Sequence, residues 1–577
     1  MKKLALYLIA IAMMTACNNA EPQPDESAHS EKKWWKEAII YQIYPRSFKD
    51  TNGDGIGDLR GIIEELDYIQ SLGVTAVWLN PIYSSPNDDN GYDVSDYRNI
   101  MDDFGTMEDF DQMLSGMHER GIKLIMDIVV NHSSDEHEWF KQSRSSRDNP
   151  YRDYYHWWPA EKGKPNYRYS LFDERGDAWK YDTLTNAYYL HYFSQKQPDL
   201  NWSNPKVRQE VNEIMKYWAE KGVDGFRLDA FQFAAKDTTY PAFPEGFEKN
   251  FIDYYAMQDG LNDYLRGMYD EVFSKYDVMS VAEGAGRNLQ EAHELVDEDR
   301  QELNMAYAFE GVDIAKYEGY ELSKLKEIFS KWDSAFAEKG WLSIFLANHD
   351  QARLVSRFGS DEPAFREASA KMLNTFILSM RGTPYCYYGD ELGMTNIGFT
   401  SIEQYKDIAA INGYKKAKAE GKDMDYFLKK LSFESRDNGR TPMQWNGDKN
   451  AGFSEADPWL PVNNNHLEIN VEAQERDPES ILNHFRNLTK LRKEWPVLVY
   501  GQYEIVEKEH PQVYAYARKY NDQQLLIVHN FSKEEAKFAL PENINLGEIL
   551  INNYPDLKME KDIFSLRPYQ SVIMVKE

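Results

Sequence analysis

The chain has 577 residues, which is too long for one ordinary domain and sufficient for a large core with appended modules. Its formal net charge of -29 argues against a polyanionic partner such as nucleic acid, and it fits an acidic-surfaced protein that acts on uncharged molecules.

The N-terminus has the pattern of an export signal. Two lysines precede an apolar run over residues 4–14, which is too short to span a membrane. Small residues then lead into Cys17, and this arrangement resembles the lipobox of bacterial lipoproteins. The resemblance implies a signal peptide over residues 1–16, lipidation at Cys17, and export to a periplasm-facing or outer-membrane position. Residues 17–33 would be a polar linker, and cleavage without lipidation is the alternative. With Cys386 as the only other cysteine, we expect no disulfide within the chain.

From residue 34 onwards, short apolar strands alternate with longer amphipathic helices. Near-continuous apolar runs indicate strands that are buried on both faces, as in a parallel sheet covered by helices. Eight such units predict an α/β fold, a (β/α)8 TIM barrel, whose chemistry lies at the carboxyl ends of the strands. The predicted strands are 38–44, 74–79, 122–130, 225–228, 278–282, 303–309, 342–347 and 385–388.

A long insertion follows the third strand. Residues 131–198 are rich in tyrosine, tryptophan and aspartate, and a loop of this length inside a barrel is usually functional. We interpret it as a subdomain that roofs the active site, with the barrel built from residues 34–130 and 199–496. After Pro496 the pattern changes to alternating strands, which predict a C-terminal antiparallel β-sandwich domain over residues 497–577.

Arg227 and Asp229 end an otherwise apolar strand, and because they are two residues apart their side chains leave the same face. Buried charges are unfavourable unless they are paired, so the two residues indicate either a structural ion pair or chemistry. Three more strand-like runs end in acids or histidines: Asp127 with His132, Glu283, and His349 with Asp350. Titratable groups at four strand ends favour chemistry over salt bridges that only stabilise a barrel.

These strand ends closely resemble the four signature regions of the α-amylase family of glycoside hydrolases, glycoside hydrolase family thirteen. The matching segments are residues 127–132, 225–229, 281–284 and 345–350. Residues 197–201 and 436–445 resemble further motifs of its oligo-1,6-glucosidase and α-glucosidase branch. The resemblance extends from about residue 34 to the C-terminus, with six motifs in register.

Glycosidic hydrolysis with retained configuration needs a carboxylate that attacks the anomeric carbon and a protonated carboxyl that assists the leaving group. The resemblance implies Asp229 as nucleophile and Glu283 as general acid, then base. Arg227 would keep Asp229 ionised, while crowding by Asp229 and Asp350 would keep Glu283 protonated near neutrality. The remaining matches are a residue that braces Arg227 (Asp127) and residues that grip the sugar before the cleaved bond (Asp350, His349 and His132).

The resemblance also implies a charged clamp on the terminal glucose. Asp89 matches the residue that binds its outermost hydroxyls, with Arg436 as the partner and Arg440 in reserve. Tyr92 matches the aromatic platform under that sugar. Such a clamp closes the pocket, so the enzyme would be exo-acting. Two residues of the insertion could be either pocket wall or core: Phe172 and Phe193.

Oxygen-bearing side chains alternate with glycines over residues 50–58, which is typical of loops that bind a hard cation. The segment lacks an EF-hand glutamate, since Gly61 stands at that position. The resemblance implies a structural Ca²⁺ that takes no part in catalysis, and a metal-free turn is the alternative. The candidate ligands are the side chains of Asp50, Asn52, Asp54 and Asp58 and the carbonyl of Ile56.

The leading hypothesis is a retaining exo-α-glucosidase that acts on short α-gluco-oligosaccharides. Ala230 after the nucleophile favours α-1,4 over α-1,6 bonds, because α-1,6 members tend to carry valine there. Where α-1,6 members commonly carry a glutamate two residues after an aspartate, this chain has Ala409 after Asp407, which also favours α-1,4 bonds. The alternatives are an oligo-1,6-glucosidase, a trehalose- or isomaltulose-forming relative, and a non-catalytic transporter subunit. The transporter subunits lack the catalytic acids that this chain has, and residues 283–285 argue weakly against the trehalose-forming branch.

Overall fold

The structure is a computed structural model, and it describes residues 32–173, 176–541 and 544–577. The predicted signal peptide and Cys17 therefore lie outside the described residues. Among the helices within those ranges, none combines the length and apolar character that a membrane crossing requires.

The strands are short, as expected for a barrel with appended sheets. In chain order they are β1 (Ile40–Ile43), β2 (Ala76–Leu79), β3 (Tyr83–Ser84), β4 (Asp96–Ile100), β5 (Lys123–Val129), β6 (Trp157–Pro159), β7 (Trp179–Asp182), β8 (Ala187–Leu190), β9 (Gly225–Asp229), β10 (Met279–Ala282), β11 (Met305–Ala306), β12 (Ser343–Ile344), β13 (Thr383–Tyr387), β14 (Gln502–Val506), β15 (Val513–Tyr520), β16 (Gln523–Asn530), β17 (Ala536–Ala539), β18 (Leu546–Asn552), β19 (Lys558–Glu560), β20 (Ile563–Leu566) and β21 (Ser571–Lys576).

Helices follow most barrel strands and cover the outside of the sheet. In chain order they are α1 (Trp34–Glu37), α2 (Leu59–Glu64), α3 (Leu66–Ser71), α4 (Met107–Glu119), α5 (Glu138–Ser145), α6 (Pro205–Lys221), α7 (Ile252–Tyr255), α8 (Leu261–Met268), α9 (Leu289–Val296), α10 (Glu310–Asp313), α11 (Leu322–Ala335), α12 (Leu354–Phe358), α13 (Pro363–Ser379), α14 (Ile408–Ala419), α15 (Met424–Glu434), α16 (Arg436–Gly439), α17 (Val471–Glu475), α18 (Ile481–Glu494) and α19 (Val497–Tyr500).

The predicted barrel is confirmed. Eight parallel strands form one sheet in the order β11-β10-β9-β5-β2-β1-β13-β12. The sixth and seventh barrel strands, β11 and β12, have two residues each and are shorter than predicted. These two outer strands meet through a side chain, because Ser343 Oγ donates to the carbonyl oxygen of Ala306 at 2.9 Å. The barrel interior is filled by apolar residues from six of the strands, including Ile40, Trp78, Ile125, Val281, Met305 and Tyr385.

The two ends of helix α6 show how the local sequence positions strand β9. Asn204 caps its first turn by accepting from the N–H of Lys206, and proline occupies its first position. The helix ends at Gly222, which adopts a left-handed conformation with φ 106°. Strand β9 follows three residues later, so the tight turn places Arg227 and Asp229 at the carboxyl end of the sheet.

The insertion forms its own three-stranded antiparallel sheet in the order β6-β8-β7. It returns to the barrel where Asp199 bridges to His132, directly after β5. A buried ion pair fastens this return, with Lys236 Nζ 3.4 Å from Asp199 Oδ2. The C-terminal residues form a five-stranded antiparallel sheet and a three-stranded one, whose facing residues share one apolar cluster that includes Val513, Leu526, Phe538 and Phe564.

Candidate active site

The titratable groups singled out in the sequence converge at the carboxyl ends of neighbouring barrel strands. Asp127 lies in β5, and Arg227 and Asp229 lie in β9. Glu283 directly follows β10, and Asp350 lies beyond β12. Two of them, Glu283 and Asp350, line a cavity of about 520 Å³. The cavity also touches the insertion, through Phe172 and Phe193.

Arg227 is the hub of the carboxylates. Its Nη1 lies 2.6 Å from Asp229 Oδ1 and 2.9 Å from Asp127 Oδ1, and its Nη2 lies 3.0 Å from Glu283 Oε1. The guanidinium is 1% exposed and rests 5.2 Å from the centroid of the Trp78 ring, at the top of the barrel core. One cation therefore fixes the two proposed catalytic carboxyls relative to each other and to the strand beside them.

Burial dominates the electrostatics of the carboxyl pair. It raises the pKa of Glu283, Asp229 and Asp350 raise it further, and Arg227 opposes the rise. Burial likewise raises the pKa of Asp229, against the opposing effect of Arg227. Because one guanidinium faces three carboxyls, the cluster retains a proton near neutral pH, which is the condition for a general acid. The sequence predicted the raised pKa of Glu283, but burial is a larger cause than the predicted crowding.

Tyr92 and His349 connect this pair to the other end of the cavity. The Tyr92 hydroxyl donates to Asp127 Oδ2 at 3.0 Å and lies 2.7 Å from His349 Nε2. The two rings stack with centroids 5.2 Å apart. Burial lowers the pKa of His349 to about 3, so its imidazole is neutral. His349 Nε2 also lies 3.2 Å from Asp350 Oδ2.

Two arginines from the segment after α15 hold Asp350. Arg436 Nη1 and Arg440 Nη2 each lie 3.0 Å from Asp350 Oδ1. Burial disfavours the charge on Asp350, but the adjacent His349 and these guanidinium groups hold its pKa below the ordinary range. Arg436 Nη2 also lies 3.5 Å from Asp89 Oδ1, so the structure brings together the predicted partners of the clamp. Arg440 instead contacts Asp350 and the backbone carbonyl of His349.

His132 packs against Phe193, which lines the cavity on the side of the insertion. Their rings are 5.0 Å apart, and Phe193 packs in turn on Phe172 at 5.5 Å. Burial lowers the pKa of His132 to about 3, which leaves its imidazole neutral. The guanidinium carbon of Arg436 lies 5.0 Å from the centroid of Phe172. Both phenylalanines therefore belong to the wall of the cavity.

The opposite half of the cavity has a different lining. Ala230 adopts the left-handed conformation with φ 45°, and its N–H donates to Glu283 Oε2 at 2.9 Å. Helices α14 and α15 supply the remaining wall, through Ala409 and Phe427 among others. Glu434, at the end of α15, adds a carboxylate to the wall of the cavity, whereas residue 409 is an alanine.

The loop of residues 50–58 is held by its own side chains. Asp50 accepts from the N–H groups of residues 52, 53 and 55 at 2.8–3.0 Å and from Ser454 Oγ at 2.5 Å. Asp58 caps α2, and Asn52 and Asp54 each accept from the N–H two residues on. The donors are all oxygen, which fits calcium chemically. Nevertheless, no group of three or more His, Cys, Asp or Glu side chains is placed to share a metal in the ranges that the structure describes. The calcium site stays a prediction.

Several polar residues of the site were not predicted from the sequence. Gln197 Nε2 lies 3.1 Å from Asp89 Oδ2 and 3.2 Å from His132 Nε2, and so connects these two side chains. Asp407 pairs with Arg436. Gln42 Nε2 lies 2.9 Å from His349 Nδ1. The available signal for Gln42 was a polar residue inside the apolar run of β1.

The barrel and the strand-end carboxyls define a glycoside hydrolase. The α-amylase catalytic domain model matches residues 42–501, and the model of the α-amylase SusG C-terminal domain matches residues 513–573. The chain belongs to the α-amylase family.

Curated relatives cover nearly the whole chain. An oligo-1,6-glucosidase of Parageobacillus thermoglucosidasius is 50% identical over 559 residues, which are 94% of this chain and 98% of that protein. An α-glucosidase of Pediococcus pentosaceus is 42% identical, over 93% of this chain and 98% of that protein. Among solved structures, the trehalulose synthase MutB of Pseudomonas mesoacidophila MX-45 has a TM-score of 0.92 at 43% identity, and it covers 95% of this chain and 100% of that one.

Proposed function

We propose that this glycoside hydrolase is a retaining exo-α-glucosidase that removes the terminal non-reducing glucose from short α-gluco-oligosaccharides. One observation carries the proposal: Arg227 holds Asp229 and Glu283 together, and Glu283 lines the same cavity as Arg436, which pairs with Asp89. Paired carboxyls suit glycosidic cleavage, and the charged pair suits the hydroxyls of a chain end.

In the first step, Asp229 attacks the anomeric carbon while Glu283 gives its proton to the glycosidic oxygen, and the leaving sugar departs as an alcohol. A covalent glucosyl ester remains on Asp229. In the second step, Glu283 takes a proton from water, the resulting hydroxide equivalent attacks the anomeric carbon, and glucose leaves with its original configuration. Arg227 stabilises the carboxylate form of Asp229 before attack and after release.

The preferred linkage is proposed as α-1,4, on the basis of Ala230. Its side chain is a single methyl at the leaving-group side of Asp229, where a β-branched residue would narrow the cavity. A difference of this size contributes only about 1–3 kcal/mol of discrimination, so both linkages should be cleaved. The second candidate is a preference for α-1,6 bonds, which the oligo-1,6-glucosidase names of the curated relatives favour.

The test is a substrate panel of maltose, isomaltose, panose, sucrose and trehalose with product analysis by NMR. The proposal requires α-glucose as the first product, together with a higher kcat/KM for maltose than for isomaltose. β-Glucose as the first product would overturn the retaining mechanism. A clear preference for isomaltose would establish the second candidate. Isomaltulose or trehalulose formed from sucrose would place the protein with the isomerising synthases that its solved neighbours include.

We also propose that the mature chain is anchored through a lipid on Cys17, which is supported by the small residues before it. The experiment compares the membrane fraction of the wild-type protein with that of Cys17→Ser. Equal membrane retention of the two proteins would show that the anchor lies elsewhere.

A further inference from the structure

The insertion and helix α14 border a cavity that is separate from the active site. It has a volume of about 890 Å³, and within the described residues it shares no lining residue with the active-site cavity. Its walls come from strands β7 and β8, from the segments on either side of them, and from Asn412 and Lys415 of α14. We call it the outer cavity. A cavity of this size is sufficient for a small molecule.

The outer cavity adjoins two phenylalanines of the active-site wall. His191, which lines the outer cavity, has Nδ1 3.2 Å from the carbonyl oxygen of Phe193. Asn412 Nδ2 donates to the carbonyl oxygen of Phe172 at 2.9 Å. Because Phe172 and Phe193 line the active-site cavity, these two residues separate it from the outer cavity.

His191 retains an unused hydrogen-bond acceptor. Because a carbonyl oxygen can only accept, Nδ1 carries the ring hydrogen, and Nε2 has a free lone pair. The residue is 1% exposed, and Nε2 has no hydrogen-bond partner within the described residues. Burial lowers the pKa of His191, so the ring stays neutral and Nε2 gains no hydrogen of its own. A donor from a bound ligand would satisfy this acceptor.

Other lining groups complete a set that is typical of carbohydrate sites. The rings of Tyr181 and Tyr188 lie 5.2 Å apart, and Tyr181 is 43% exposed, so it is available to pack against a sugar ring. Asp177 adds carboxylate oxygens, and its charge is offset by Lys164 Nζ at 2.7 Å from its Oδ2. A neutral imidazole beside paired charges favours an uncharged ligand with hydroxyl groups over an anion.

We propose that the outer cavity is a second saccharide-binding site, which takes a neutral sugar such as maltose. The inference goes beyond the proposed function and does not require the active site to cleave anything. A hydroxyl of the sugar donates to His191 Nε2, and the sugar ring packs against Tyr181. Since His191 and Asn412 also bind the backbone of the two wall phenylalanines, the bound sugar contacts the groups that position that wall.

The first experiment measures saturation-transfer NMR on maltose in the presence of the full-length protein. The iminosugar deoxynojirimycin, a glucose analogue, is first added to saturate the active site. Transfer to maltose should persist in the wild type. Tyr181→Ala and His191→Phe should each raise Kd for maltose by about tenfold, because a packing face or an acceptor is lost. The matched control is Tyr317→Ala, since Tyr317 is 38% exposed and lines neither cavity.

Two results would overturn the inference: loss of transfer in the wild type once the inhibitor is bound, and equal weakening by Tyr317→Ala and Tyr181→Ala. His191→Phe also removes the bond to Phe193, so its fold is checked by circular dichroism. If that variant does not fold, Tyr181→Ala decides the result, because its side chain is exposed. Wild-type protein that fails to cleave p-nitrophenyl α-glucoside would overturn the proposed function and leave this comparison valid.

The second experiment uses inorganic phosphate to test for an anion site. Lys180 and Lys415 also line the outer cavity, and lysines bind phosphate in many proteins. Phosphate should not displace maltose from the wild type beyond the effect of sodium chloride at equal ionic strength. Displacement by phosphate that Lys180→Met abolishes would assign the cavity to an anion and would refute the saccharide site.

Discussion

The two halves of the active-site cavity are built in different ways. The half proposed to face the terminal glucose consists of buried charges that hold one another, with Arg227, Arg436 and Asp350 each in contact with two or more partners. The proposed leaving-group half is lined in part by side chains from α14 and α15, including Ala409 and Phe427. Helix α15 has no buried residue, and only two residues of α14 are buried.

This difference determines which residues of the cavity should tolerate substitution. A buried charge that loses its partner is strongly destabilised, so each member of the first half constrains the others. Helices with little buried surface are fastened less firmly, and substitutions on them disturb few neighbours. We therefore expect the chemistry of the proposed enzyme to depend on the first half, and its linkage and chain-length preferences to be adjustable in the second.

The largest expected effect is the loss of the proposed nucleophile. Asp229→Asn should lower kcat by about a thousandfold or more, since an amide cannot form the ester intermediate. Asp224→Asn is the matched control, because Asp224 precedes the same strand at its opposite end and pairs with Lys123. The readout is kcat on p-nitrophenyl α-glucoside. If Asp229→Asn retains the wild-type kcat, Asp229 is not the nucleophile, and the buried charges around Arg227 do not determine the chemistry.

The clamp should give the next largest effect. Arg436→Met leaves Asp89 without its nearby guanidinium, and burial already raises the pKa of Asp89 to about 7. We expect kcat/KM for maltose to fall by about a hundredfold, because hydrogen bonds to a charged group are lost in the complex. Arg486→Met is the control, since Arg486 forms a surface pair with Glu475. Cleavage of internal bonds by Arg436→Met would show that the clamp closes the pocket, and unchanged kinetics would show that it does not bind substrate.

The pH profile tests the shared proton. Because the pKa of Glu283 is raised, its proton remains bound up to that pKa and is lost as the pH rises through it. Above the pKa, kcat/KM for maltose should fall by about tenfold per pH unit. Glucosyl fluoride needs no proton donor, so Glu283→Gln should cleave it with no such decline. An alkaline decline that persists in Glu283→Gln would assign the titration to another group.

A smaller change is expected on the leaving-group side. Ala230→Val should shift the ratio of kcat/KM for maltose to that for isomaltose by about tenfold towards isomaltose. The glucose-side half is untouched, so cleavage of p-nitrophenyl α-glucoside provides the internal reference. An equal fall in kcat/KM on all three substrates would indicate that the substitution disturbs Asp229. It would contradict the expectation that the leaving-group half can change without affecting the chemistry.

Calcium should have the smallest effect on catalysis. If residues 50–58 bind Ca²⁺, a 100-fold excess over Kd contributes about 2.7 kcal/mol to stability and raises Tm by a few degrees, with kcat unchanged. Asp54→Ala should abolish the response. A metal-free sample with the Tm of the calcium-loaded protein would show that the loop is held by its own hydrogen bonds alone.

The barrel could be predicted from the sequence because parallel strands read as continuous apolar runs. The strand ends could also be located, since charged residues such as Arg227 interrupt those runs. The lengths of β11 and β12 could not, because only two residues of each apolar run enter the ladder.

For the site, the sequence identified residues whose chemical type within a motif marks a catalytic role. It missed residues whose role depends on contacts with distant segments of the chain. Asp229 and Glu283 stand in recognisable motifs. Gln197 and Asp407 also lie in or beside such motifs, but their contacts with Asp89 and Arg436 depend on how distant segments fold together. Glu434 reaches the cavity from a helix that no motif marks.

The left-handed backbone at Ala230 bears on how such enzymes change linkage over evolutionary time. A side chain other than glycine in this conformation costs about 1–2 kcal/mol, and β-branched residues suit it least. If valine here shifts the linkage preference as proposed, a lineage that acquires it loses some stability in the same step. Such a change can persist only in a protein whose free energy of unfolding lies well above the minimum that its function requires. Stabilising substitutions elsewhere in the barrel should therefore precede a switch of linkage at residue 230.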